Sequence, residues 1–89
     1  MKATKIKMKP GCHYSDDLCE IDSIYPDSKG CFVKKEQIYN YLLKNPCSIY
    51  VDLFPFPYLE PVISIYGEKY VRSKANYTMK DNLLRLPRE

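Results

Sequence analysis

The chain closes on a run of apolar side chains where a solvated terminus would normally fray. Tyr70-Val71-Arg72-Ser73 reads as a strand, and Asp81-Asn82-Leu83-Leu84-Arg85-Leu86-Pro87 comes after a short polar spacer. Terminal segments stay poorly ordered unless something ties them down. Leu83, Leu84 and Leu86 therefore need a place in the core, and the tail is expected to act as a structural clasp. Asp81 and Asn82 suit the turn that delivers it, because their side chains bond nearby backbone amides.

A core that recruits its own terminus is a small one. The 89 residues make one domain, spanning 1–89, and a domain of that size buries only about 60–65% of its unfolded surface. That leaves little room for a deep cleft. With 45% hydrophobic and 28% charged residues, the chain is globular in composition and not wholly disordered. No apolar run approaches the roughly 18 residues of a membrane-spanning helix. The basic start lacks the apolar stretch of a signal peptide. The expected compartment is the cytoplasm, where the four cysteines would be reduced thiols.

Periodicity predicts about five strands and one helix in the order ββαβββ, an α+β fold built on a mostly antiparallel sheet. A partly open barrel with the helix over one end is the alternative architecture. In the first strand, Ala3 to Lys9, Thr4, Ile6 and Met8 alternate with Lys5, Lys7 and Lys9, which assigns the first set to the core. In the second, Leu18 to Tyr25, Glu20 and Asp22 fall on one face and would lie opposite Lys5 and Lys7. Lys34 to Lys44 reads as the helix, with Ile38, Tyr41 and Leu42 on one stripe and Asn45-Pro46 as its stop. Ser48 to Phe54 is the third strand. The prolines from Pro55 to Pro61 restrict their own stretch to an edge or a connection. Val62 to Tyr66 and Lys69 to Lys74 make a final hairpin. Gly67-Glu68 suits a two-residue turn, but a three-residue loop, Gly67 to Lys69, groups Ile63, Ile65 and Val71 on one face. Burial of a face constrains register more strongly than a turn preference, so the three-residue loop is expected.

The ending Tyr70-Val71-Arg72-Ser73, Asp81-Asn82-Leu83-Leu84 and Leu86-Pro87 resembles a family of small bacterial proteins of unknown function. Its members often end in a tyrosine-aliphatic-arginine-threonine strand, then aspartate-asparagine-leucine and leucine-proline. The likeness is sharp over residues 70–87 and diffuse elsewhere. Ser73 stands where threonine is usual. The resemblance implies two N-terminal strands, a short helix and further strands. It implies no activity.

Catalytic chemistry finds few supports. Cys12, Cys19, Cys31 and Cys47 are too widely spaced for zinc knuckles, which place ligands two to four residues apart. They read as plain thiols, and no metal or cofactor is expected. Cys12 and His13 are neighbours on an extended loop and point apart, a poor geometry for a nucleophile and its base. Glu20 and Asp22 read as surface charge. The three glycines are isolated and form no phosphate-cradling loop, and Asn76-Tyr77-Thr78 is a chance match to a glycosylation site.

The expectation is a non-enzymatic protein-interaction module, regulatory or related to a phage or mobile element, whose partner is another protein. Nine Tyr, three Phe and no Trp fit half-buried sheets with wet hydroxyls. Phe54, Phe56 and Tyr58 form the expected contact segment, with Tyr66, Tyr70 and Arg72 as further binding residues and Arg72 stacking on one of the two tyrosines. Self-association through an edge strand belongs to the same class. The alternative is nucleic-acid binding through Lys5, Lys7 and Lys9 together with exposed Tyr residues.

Overall fold

The computed structural model describes residues 1–74 and 81–89; the Asn76-Tyr77-Thr78 sequence lies outside them. The described elements are β1 (Lys2–Met8), β2 (Ile21–Pro26), β3 (Val33–Lys34), α1 (Lys35–Lys44), β4 (Tyr50–Val51), β5 (Leu59–Ile63) and β6 (Lys69–Ser73), with short 3-10 helices at Leu18–Glu20 and Asn82–Arg85. The fold is α+β. One sheet has the order β3-β2-β1-β4 and a second consists of β5 and β6. The β1–β2, β2–β3 and β5–β6 pairs are antiparallel, while β4 runs parallel to β1.

The alternation in β1 is broken. Ala3, Ile6 and Met8 are buried, whereas Thr4 is only partly so. The register shift between Ala3 and Lys5, which places an extra residue on β1, accounts for this, since such a bulge moves the next side chains to the other face; a second shift, between Lys7 and Met8, places its extra residue on β2. Glu20 and Asp22 do not lie opposite Lys5 and Lys7 as expected. Lys5 lies opposite Tyr25 and Lys7 opposite Ser23. Asp22 instead accepts from Lys34, and Glu20 sits in the 3-10 turn before β2.

The helix stripe also differs. Lys35, Ile38, Tyr39 and Leu42 are its buried residues, and Tyr41 is half-buried. The spacing i, i+3, i+4, i+7 is that of a core face, but its first position is a lysine, 1% exposed. The Lys35 ammonium donates to the Cys19 carbonyl and to the Glu68 carboxylate, which also takes Lys9 at 2.9 Å. A buried charge is tolerated only when paired and hydrogen-bonded, and this triad meets both conditions.

The last hairpin adopts neither register read from the sequence. Leu59 pairs with Ser73 and Ile63 with Lys69, leaving a five-residue connection, Ser64 to Glu68. Ser64 and Glu68 close it by a backbone bond of 2.9 Å, and Gly67 supplies the left-handed residue at φ +82°. Patterning misleads here because Ile65 is 92% exposed at the tip and not part of a buried face. Pro61 lies inside β5. Two positions away, the paired Leu59 and Ser73 have amides that point away from the hairpin, to Ile49 and Asp81. By alternation the missing Pro61 donor also faces outward, where the ladder does not need it.

The C-terminus completes β1. The Ile6 amide donates to the Pro87 carbonyl at 2.9 Å, and the Glu89 amide donates to the Ile6 carbonyl at 3.0 Å. Leu83, Leu84 and Leu86 are buried in the same core as Ile6, Ile24, Ile38, Leu42 and Val71. Asp81 is the N-cap of the 3-10 helix Asn82–Arg85. Its carboxylate accepts from the Ser73 amide and hydroxyl and from the Leu83 amide. Arg88, which carries no signal in the sequence pattern, donates to the carbonyls of His13, Ser15 and Leu84 at 2.7–2.9 Å. It thereby pins the long loop between β1 and β2.

Candidate functional site

The segment after β4 is held from both sides. Tyr50 and Val51 pair with Lys2 and Ala3 on one edge. On the other, the Val51 amide donates to Pro57, the Leu59 amide donates to Ile49, and Tyr50 bridges Tyr58. Strand addition at β4 is therefore closed. The turn between is tight, with the Phe56 amide donating to Leu53 at 2.6 Å. The buried Asn82 amide donates to the carbonyls of Leu53 and Phe54 at 3.4 and 3.2 Å. The terminal clasp thus anchors this turn.

What the turn presents is aromatic. Phe54 is 81% exposed, Phe56 51% and Tyr58 45%. Tyr50 packs edge-on against Phe56 and Tyr58 with centroids 6.4 Å apart, and Phe54 packs edge-on against Phe56 at 6.2 Å. Tyr50, Phe56 and Tyr58 line a shallow open groove. Phe56 adopts φ +58°, an unusual conformation for a bulky residue. Backbone strain of this kind persists only where its surroundings over-determine it, and it clusters at ligand clamps.

Of the residues singled out in the sequence, Phe54, Phe56 and Tyr58 come together, joined by Tyr50, which in the sequence reads as an ordinary strand residue. Tyr66, Tyr70 and Arg72 join no ring cluster among the described residues. Tyr66 is at the exposed hairpin tip, and Tyr70 faces a groove beside Ser15 and Asp17. Arg72 does not stack on either tyrosine; its Nε donates to Glu60 at 2.8 Å, its partner across the hairpin. Lys5 and Lys7 lie beside Tyr25 and Phe32, while Lys9 turns to Glu68.

The thiols are free: Cys12 and Cys19 half-buried, Cys31 and Cys47 exposed. Cys12 Sγ donates to Glu20 at 2.9 Å. That bond raises the thiol pKa, and together with the Ser15 hydroxyl it lowers that of Glu20. Each shift runs against a nucleophile–base pair, which wants an acidic thiol and a basic partner. His13 stacks edge-on against Tyr14, centroids 4.9 Å apart. Among the described residues, no three His, Cys, Asp or Glu side chains are grouped to hold a metal ion, and no helix is long and apolar enough to cross a membrane.

No curated protein and no solved structure matches the chain. The family model described as "Protein of unknown function (DUF3892)" matches residues 3–87, and the chain belongs to that family.

Proposed function

We propose that the protein is a non-enzymatic interaction module whose aromatic ridge receives an extended, proline-bearing segment of another protein. The observation that carries this reading is the exposure of Phe54, Phe56 and Tyr58 on a turn fixed by strand pairing and by Asn82. Large apolar side chains gathered on a rigid surface mark contact sites more often than scattered ones do. Rigid rings lose little entropy on binding. Near-perpendicular rings leave slots between them, and aromatic-lined grooves are the usual seat of extended polyproline segments. A cytoplasmic setting, in which thiols stay reduced, belongs to the same proposal.

Nuclear magnetic resonance titration with proline-rich peptides tests it. Shifts centred on Tyr50, Phe54, Phe56 and Tyr58 are expected, and they should vanish in a Phe54→Ala, Tyr58→Ala variant that melts like the parent. Two results count against it: no perturbation by any peptide of this class, or collapse of the fold on removing these rings, which would make the ridge structural.

A further inference from the structure

A second surface lies on the outer face of the four-stranded sheet. Lys7 pairs with Ser23, and Ser23 with Lys34, while Lys5 pairs with Tyr25. Residues directly opposite in antiparallel strands share a face. Ile6, Ile24 and Val33 form the neighbouring row and point into the core. Lys5, Lys7 and Lys34 therefore stand together on the side away from α1. Phe32 packs edge-on against Tyr25 with centroids 5.3 Å apart. The Lys5 ammonium lies 4.5 Å from the Tyr25 ring, and that of Lys7 lies 5.2 Å from Phe32.

We propose that this face binds single-stranded nucleic acid, with Lys5, Lys7 and Lys34 on phosphates and Tyr25 and Phe32 as stacking rings. Charge complementarity selects an anionic partner, and interleaved rings select one that carries planar bases. Rings on a sheet reach bases only when these are unpaired, which selects a single strand over a duplex. The carboxylates nearby are Glu89, 2.8 Å from Lys5, and Asp22, 2.9 Å from Lys34. Both pairs are solvent-exposed, where such pairs are weak and easily exchanged for phosphate. Lys7 makes no direct ion pair among the described residues, so it offers the first phosphate contact. Lys9 lies beyond the end of β1 and pairs with Glu68 instead. Lys34 stands in its place.

Fluorescence anisotropy of a labelled oligothymidylate against the whole chain provides the test. Two to three phosphate contacts predict that affinity weakens about 7- to 18-fold between roughly 50 and 200 mM salt. Lys7→Glu with Lys34→Glu should weaken binding more than about tenfold, whereas Lys44→Glu on α1 should change it little. Phe32→Leu keeps the apolar bulk and removes the ring, and should cost about 5- to 160-fold. If Tyr25→Leu fails to fold, Phe32→Leu alone decides the stacking role. The proposal is overturned by no binding at about 100 µM protein, by equal affinity for a duplex of the same length, or by equal competition from polyglutamate.

Discussion

Replacing Glu68 by Gln keeps the side chain's size and removes the charge that faces the buried Lys35 ammonium. Breaking a fully buried ion pair costs about 3–5 kcal/mol, because the remaining charge is left uncompensated. Glu68 is 35% exposed, so water recovers part of that loss and about 2–3 kcal/mol is expected. A domain of 89 residues has roughly 4–13 kcal/mol in all, at about 0.05–0.15 per residue. The variant should therefore melt about 8–24 °C lower, at roughly 4–8 °C per kcal/mol. Lys35→Met behaves differently. It removes the charge itself from a position that the helix stripe assigns to the core, leaves the Cys19 carbonyl without this donor, and should come out within about 1 kcal/mol of the parent. Combined with Glu68→Gln, it should rescue most of the loss. The pH dependence has a definite sign. Lys35 and then Lys9 hold the Glu68 carboxyl below its ordinary range. A group depressed in the folded state stabilises above its unfolded value of about 4.3, and that contribution drains away as pH falls through the folded value. Thermal melts of parent and Glu68→Gln should differ most at neutral pH and converge in acid. A Gln variant within about 2 °C of the parent at neutral pH, or Lys35→Met as damaging as Glu68→Gln, would refute the reasoning.

Other expectations are simpler to check. Removing residues 81–89 withdraws Leu83, Leu84 and Leu86 from the core and unpairs Ile6. At about 2–5 kcal/mol per buried leucine, the loss should exceed the stability of the domain, and circular dichroism should show an unfolded chain; an unchanged melting temperature would contradict the clasp. Phe54→Ala, at an exposed position, should change stability by no more than about 0.5 kcal/mol in denaturant titration. Glu20→Gln weakens the hydrogen bond, and removes the charge, by which Glu20 raises the Cys12 thiol pKa, so alkylation of Cys12 at mildly alkaline pH should accelerate, as mass spectrometry of the modified peptide can track. No acceleration would mean the thiol is governed by something other than this carboxylate.

Much of the architecture is written in local patterns. The helix end at Asn45-Pro46, the antiparallel match of the first two strands and the inward turn of the final leucines each arise from residues close together in the chain. What escaped does so for reasons that are not local. A register shift in β1 leaves no mark of its own in the alternation of Lys5, Lys7 and Lys9. β3 has two residues and exists only because β2 offers it an edge. Lys35 reads as a solvated residue until Glu68, 33 positions away, is brought to it. The aromatic ridge was half legible: a Phe-Pro-Phe-Pro-Tyr run announces itself, but Tyr50 joins it only through a bridge that depends on the fold. Ile65 shows the converse error, because an apolar residue at a hairpin tip imitates a core position when read by parity alone.

The bonds from Ile6 to Pro87 and Glu89 carry a consequence for biosynthesis. β1 leaves the ribosome ahead of the rest of this domain, yet the second edge of Ile6, beyond the part that β4 covers, is filled by the domain's closing residues. That edge is meanwhile open to any other extended peptide in reach, and pairings between remote parts of a chain form slowly. Completion of the domain thus waits until all its other parts have been made. Anything fused directly behind Glu89 has to let that closing segment slide into place beside Ile6.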